Sequence, residues 1–193
     1  MIAHINGRLV EKSPTYVVID CSGVGYKLNI SLNTYSKLGD GEDCKLFTEF
    51  IVREDAQLLY GFKDVSERRL FQLLISVSGV GPATALLVLS SADAEEIQQA
   101  ILSGNAAWFK GVKGIGPKSA QRIIIDLKDK VSKENISSDN SIGLNNTLKE
   151  ESLSALVNLG FNKNLAEKMV QKILIADPSA AVEDVIKQAL KAL

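Results

Sequence analysis

Val77-Ser78-Gly79-Val80-Gly81-Pro82 recurs 35 residues later as Val112-Lys113-Gly114-Ile115-Gly116-Pro117. The match continues through Ala85 and Ala120 and the apolar pairs Val88/Ile123 and Leu89/Ile124. Each copy reads as a helix, a Gly-hydrophobic-Gly turn and a second helix. The glycines permit tight, partly left-handed backbone and let a ligand approach with no Cβ in the way. Val80 and Ile115 would anchor the two turns in a core. Pro82 and Pro117 open the following helices, where the missing N–H is not needed. The free N–H groups of each turn and helix N-terminus then point at an anion.

This is the helix-hairpin-helix pattern, a sequence-independent binder of nucleic-acid phosphate. The residues it offers are Gly79, Val80 and Gly81 in the first turn and Gly114, Ile115 and Gly116 in the second, with Lys118, Ser119 and Arg122 following. The plain alternative is a pair of tight helix-helix turns with no ligand. Two copies of the turn, with Lys118, Ser119 and Arg122 lining the second, favour the phosphate reading, whereas charge alone fits a solvated lysine-rich helix end equally well. The 193-residue chain has 22 basic and 23 acidic side chains, net -1, but residues 105–133 hold 7 basic and 2 acidic, net +5. A local basic patch is what phosphate responds to. Two hairpins packed as a pair can each hold one strand across a minor groove, selecting duplex by shape without reading bases.

Before the hairpins, residues 1–62 read as a barrel. Strands are expected over Ile2–Val10, Thr15–Cys21, Val24–Ser31, Cys44–Arg53 and Ala56–Phe62, with a short helical turn over Thr34–Leu38. Ser13-Pro14, Ser22-Gly23 and Gly39-Asp40-Gly41 are the turn material between them. Five short strands suggest a closed OB-type barrel, since closure removes exposed edges. Gly23-Val24-Gly25 is a hairpin signal, not a dinucleotide fingerprint, because no helix follows. From Val65 the period becomes helical, with helices expected at Leu70–Ile75, Pro82–Leu89, Ala94–Leu102 and Ser119–Val131. Asp93 and Glu96 can form a capping box for the third of these.

After the hairpins, Glu134–Asn146 has linker composition: four Asn and three Ser in 13 residues. A capping box at Thr147 and Glu150 would then open three short helices, Lys149–Leu159, Leu165–Ile175 and Val182–Leu193. Gly160 stops the first and Asp177-Pro178-Ser179 separates the other two. Leu159-Gly160-Phe161 resembles the loop of ubiquitin-associated domains, which are protein-interaction modules. The expected architecture is therefore α+β and multidomain: an OB-type barrel over 1–62, an all-α double helix-hairpin-helix domain over 63–133, a flexible linker over 134–146 and a three-helix domain over 147–193.

Several function classes fall away. No run of 18 apolar residues could span a membrane, and the first residues lack the apolar stretch of a secretory signal. Cys21 and Cys44 have no CxxC spacing, which argues against a disulfide framework or a zinc finger and fits a reducing cytoplasm. His4 is the one histidine, so a histidine triad or multi-histidine metal site is not expected. No GxxxxGK[ST] is present, so a P-loop ATPase is not either. Arg53-Glu54-Asp55 falls between two strands, so Glu54 and Asp55 can project from a hairpin tip. They are an ordinary polar turn, a partial nuclease metal pair, or negative charge placed to repel phosphates.

Taken together, the chain resembles the RuvA family, the Holliday-junction-binding subunits of the bacterial branch-migration machine. The resemblance runs from Met1 to Leu193 and rests on Val24-Gly25-Tyr26, on Val52-Arg53-Glu54-Asp55-Ala56-Gln57-Leu58-Leu59-Tyr60-Gly61-Phe62, on both hairpins and on the tail helices. It implies a homotetramer, or two tetramers enclosing a four-way junction, in DNA recombination and repair and the SOS response to DNA damage. It implies that the RuvB ATPase binds the last domain and drives branch migration in trans, and that the RuvC nuclease resolves the junction. It assigns Glu54 and Asp55 to an acidic pin, and Gly79, Gly81, Gly114, Gly116, Lys118 and Arg122 to backbone-binding hairpins. No catalytic residue, cofactor or metal is implied. The chain departs from the family at Ala83 and Pro117, where lysines are common. Two alternatives remain. One is a helix-hairpin-helix glycosylase or nuclease, although Asp126 follows Lys118 by only eight residues. The other is a single-strand binder through the barrel, for which 6% aromatics is a thin stacking platform.

Overall fold

A computed structural model describes residues 1–39, 41, 43–139, 144–177 and 180–192, with the side chains of 133–147 and 150 left out. Five strands come first: β1 His4–Lys12, β2 Tyr16–Cys21, β3 Val24–Ile30, β4 Asp43–Val52 and β5 Gln57–Phe62. They close a barrel in the order β1-β2-β3-β5-β4, antiparallel except for β3 against β5. Ser22 (φ 55°) and Gly23 (φ 91°) make the tight turn between β2 and β3, where Cys21 pairs with Val24. Val10 falls where the β1–β2 register shifts, between Leu9 and Glu11, so β1 is extended beyond the expected Val10 by a bulge. His4 is an exposed strand residue paired with Phe47. Alternation fills the barrel: Ile5, Val17, Ile19, Leu28, Ile30 and Leu46 are buried. Gly7 lets β1 and β2 approach, because a Cβ there would lie 2.2 Å from the Asp20 carbonyl oxygen.

The short helix α1 (Leu32–Lys37) bridges β3 and β4. Ser31 caps it, its Oγ accepting the Thr34 N–H at 2.9 Å. The helical layer follows as α2 Val65–Ile75, α3 Pro82–Ser91, α4 Ala94–Leu102, α5 Ala106–Lys110 and α6 Pro117–Asp139. The five-residue α5 is too short to show a period in the sequence. Asp93 caps α4 by accepting the Glu96 N–H at 2.8 Å, but the Glu96 carboxylate takes the Trp108 indole N–H at 3.0 Å.

Barrel and helices share one apolar cluster. Tyr60 and Phe62 of β5 lie in it with Leu70, Phe71 and Leu74 of α2 and with the buried residues of both hairpins. The Phe71 ring centroid sits 5.0 Å from Tyr60 and 4.9 Å from Phe62. The expected division at residue 62 therefore falls inside a core, and Met1–Asn135 forms one compact unit. Burying each such ring contributes about 1.5–3 kcal/mol. A polar node reinforces the junction. Glu67 of α2 is buried and accepts hydrogen bonds from Ser31 Oγ and, at 2.7 Å, from Thr34 Oγ1. Thr34 Oγ1 in turn accepts the Lys63 N–H at 3.1 Å.

The second compact unit is Ile136–Leu193. Its helices are α7 Leu144–Asn158, α8 Lys163–Ala176 and α9 Val182–Ala192. The expected linker over 134–146 falls across the end of α6 and the start of α7. α6 continues to Asp139 and α7 begins at Leu144, which leaves only 140–143, outside the described residues. The expected capping box at Thr147 and Glu150 rests on side chains outside the described residues; by its bounds α7 begins before Thr147. Pro178, Ser179, Asp40 and Leu193, invoked above in turns and at the end of the last helix, are also outside it. Gly160 (φ 94°) ends α7 in a Schellman motif: its N–H donates to Val157 O at 3.0 Å and the Phe161 N–H to Leu156 O at 3.1 Å. Leu156, Ala166, Val170, Ile173, Val185 and Ala189 form the core of this unit.

Candidate nucleic-acid interface

The two hairpins are built alike to a degree the sequence repeat only suggests. Gly79 has φ 90° and Gly114 φ 91°. The Val80 N–H donates to Val77 O at 3.0 Å, and the Ile115 N–H to Val112 O at 3.1 Å. The first helical bond follows in each, Ala85 N–H to Gly81 O at 2.9 Å and Ala120 N–H to Gly116 O at 3.0 Å. Val80, Ile115, Ala85, Ala120, Val88 and Ile123 are all buried, so the hydrophobic member of each turn is an anchor, while Gly79, Gly114 and Gly116 are exposed and Gly81 is half-buried. No atom lies within 4 Å of where a Cβ on Gly81 or Gly116 would be, so both face open space at the helix starts.

Lys118, Ser119 and Arg122 stand on the first turns of α6, but they meet the other hairpin. Arg122 Nη1 donates to the Ser78 carbonyl at 3.2 Å. Ser78, Gly79, Lys118, Ser119, Arg122 and Asp126 line one cleft of about 450 Å³. Lys130 Nζ, two turns further along α6, donates to Ser76 Oγ at 3.4 Å. The structure thus brings Gly79 together with Lys118, Ser119 and Arg122, while Gly114, Ile115 and Gly116 form the neighbouring turn. Ser78 and Asp126 were not among the phosphate-binding candidates, Asp126 having been weighed only for the glycosylase or nuclease alternative. Asp126 lies one helical turn after Arg122, which is the spacing that could have disclosed it.

Glu54 and Asp55 lie between β4 and β5. Both are exposed, at the tip of a turn closed by the Arg53 N–H donating to Ala56 O at 2.8 Å. The tip holds two carboxylates beside Arg53. Among the described residues no three His, Cys, Asp or Glu side chains are grouped so as to hold a metal ion. Cys21 and Cys44 are free thiols, and burial pushes the Cys44 thiol up from its usual value. Burial likewise pushes the Glu67 carboxyl up, opposed by its bonds from Ser31 and Thr34 and by the Lys37 charge. Among the described residues no helix is long and apolar enough to cross a membrane.

Comparison with known proteins agrees with this geometry. Residues 1–61 match a family model described as the RuvA N terminal domain, 71–129 one described as a SAM-like helix-hairpin-helix tandem, and 147–193 one described as the RuvA C-terminal domain. The tandem match contains both glycine turns. Similar proteins include those of Flavobacterium psychrophilum, 55% identical over 193 residues, and Christiangramia forsetii, 52% identical over 193 residues, each match covering 100% of both chains. A Bacteroides fragilis protein is 47% identical over 202 aligned positions, again covering 100% of both. All three carry the name Holliday junction branch migration complex subunit RuvA. With identity at this level along the whole length, and with barrel, paired hairpins and terminal helices in the same order, the chain belongs to the RuvA family of Holliday junction branch migration complex subunits.

Proposed function

We propose that this chain is a non-catalytic scaffold that binds four-way DNA junctions by shape, independently of sequence, as a homotetramer or a pair of tetramers. One observation carries the reading: two hairpins of the same backbone geometry, with Lys118, Ser119 and Arg122 gathered at the Ser78-Gly79 turn in a single cleft. Backbone donors at Gly79, Val80, Gly81, Gly114, Ile115 and Gly116 and the starts of α3 and α6 bind phosphates, and the side-chain cations add charge-assisted bonds. Such contacts fix register on a duplex but do not read bases.

Glu54 and Asp55 form the acidic pin. In a fourfold assembly they would set a ring of carboxylates where the arms meet, holding strands apart. Residues 147–193 recruit the RuvB ATPase, which supplies ATP hydrolysis in trans in the cytoplasm, and RuvC resolves the product. This reading needs no metal or cofactor. The helix-hairpin-helix enzyme and the single-strand binder are its rivals, and no observation favours either over the scaffold.

Gel-shift titration against a four-way junction, a duplex and a single strand of equal length, combined with light scattering, tests the proposal. The expected result is tight junction binding, near-equal affinity for two junctions of unrelated sequence, and a mass of four or eight chains per junction. Incision of any substrate by the chain alone, or single-strand binding with no junction preference, would refute it.

A further inference from the structure

The hairpins also touch each other reciprocally. A Cβ on Gly79 would lie 4.0 Å from Ser119 Oγ, and one on Gly114 would lie 3.9 Å from Thr84 Oγ1. The 35-residue offset converts 79 into 114 and 84 into 119, so each glycine turn faces the second helix of the other hairpin in the same way. The side chains bordering each turn therefore come from its partner. At Ser78-Gly79 they are Lys118 and Arg122, the latter held on the Ser78 carbonyl at 3.2 Å. The positions equivalent to these at Lys113-Gly114 are Ala83 and Leu87. Both are exposed, Leu87 to 45%. The backbone device is present twice, but cations reach across from the partner helix only at the first turn, while the second has Lys113 of its own. Asp126 also lines that cleft, so two positive charges stand there against one negative.

We infer that the hairpin pair grips the two strands of each duplex arm unequally. The strand at the Ser78-Gly79 turn is held by backbone donors and by Lys118 and Arg122 reaching across from α6. The strand at the Lys113-Gly114 turn is held by backbone donors and Lys113, with Ala83 and Leu87 offering only apolar contact to sugars. This rests on the phosphate-binding reading above. A guanidinium already oriented by a carbonyl loses less freedom on meeting a phosphate, and each neutralised phosphate releases condensed counterions. The first strand accordingly carries more of the affinity and of its salt dependence.

Neutral methylphosphonate linkages test this in a synthetic four-way junction. They are placed in all four arms on the strands entering the crossover 5′ to 3′, and in a second junction on the complementary strands. For the wild-type chain, one placement should weaken binding about tenfold per arm, the size of a lost charge-assisted bond, and the other by several-fold less per arm. Lys118→Ala with Arg122→Ala should erase or invert the difference and lower the salt slope by about two per subunit. Adding Ala83→Lys and Leu87→Arg to that variant should transfer the sensitivity to the other strand. All four positions are exposed, so thermal melting should remain unchanged. Equal strand sensitivity in a wild-type chain that does bind junctions, or no transfer in the fourfold variant, overturns the inference alone. A wild-type chain that binds no junction overturns the functional reading with it.

Discussion

Glu67 is the residue whose chemistry the packing alters most plainly. A carboxyl at 3% exposure, bonded to two hydroxyls, joins the barrel's α1 to the first helix of the helical layer. Its raised value means that the folded chain holds the proton more tightly than the unfolded chain does. The sign follows from linkage: this contribution is full below the ordinary carboxyl value of 4.5 and is lost as pH rises through the folded value. Glu67→Gln removes the ionisation while keeping an acceptor. Urea melts of both proteins from pH 4.5 to 8 should show the wild type losing stability relative to the variant as pH rises. A difference that does not vary with pH would contradict this. Glu67→Ala instead leaves Ser31 and Thr34 without their acceptor and should cost about 1–3 kcal/mol at any pH. A glutamate three residues before Leu70 and four before Phe71 sits on the buried stripe of its helix, so a polar partner could have been suspected from the sequence. Which partner could not, because Ser31 and Thr34 lie more than thirty residues away.

At the scale of single elements, turns govern what the chain can do. Gly160 ends α7 with φ 94° and open space around a would-be Cβ, so its role is purely one of backbone conformation. Gly160→Ala should destabilise the C-terminal unit by about 1–2 kcal/mol, and Gly160→Asn by less, as read from that unit's melting. Equal melting of all three would remove the left-handed argument. The β4–β5 turn is the other case. Glu54→Gln with Asp55→Asn should tighten binding to duplex more than to junction and impair RuvB-driven migration, because carboxylates at the pin oppose the hairpins' attraction over about one Debye length of 8–10 Å. Unchanged affinities and rates would reduce the tip to an ordinary polar turn. Periodicity and turn chemistry made the five strands, the glycine turns and α4 legible in advance. They could not show α5, one turn long, or the continuation of α6 to Asp139 through a segment of linker composition. The crossing of Arg122 to Ser78 was equally hidden, since a repeat gives two like units and leaves their mutual packing open.

The whole molecule divides into Met1–Asn135 and Ile136–Leu193. A chain ending after Asp139 keeps α6 whole and should bind junctions like the full-length protein while failing to stimulate RuvB. Gel-shift affinity and migration rate, measured on the same truncated sample, separate the two. Migration at the full-length rate would show that 147–193 does not recruit the motor. Within the first unit, calorimetry should find a single transition for barrel and helices, because Tyr60, Phe62 and Phe71 belong to both.

That shared core has a mechanical meaning. If a motor draws duplex held by the hairpin turns, as proposed above, the pull would fall on those turns and pass into the barrel. The path runs from α2 through interlocked rings and the buried Glu67 bonds, with no run of free chain to bend. Such a joint resists shear as a close-packed solid does. Force on the DNA would therefore turn barrel and hairpins as one rigid lever, carrying the acidic tip with the clefts instead of letting it lag behind.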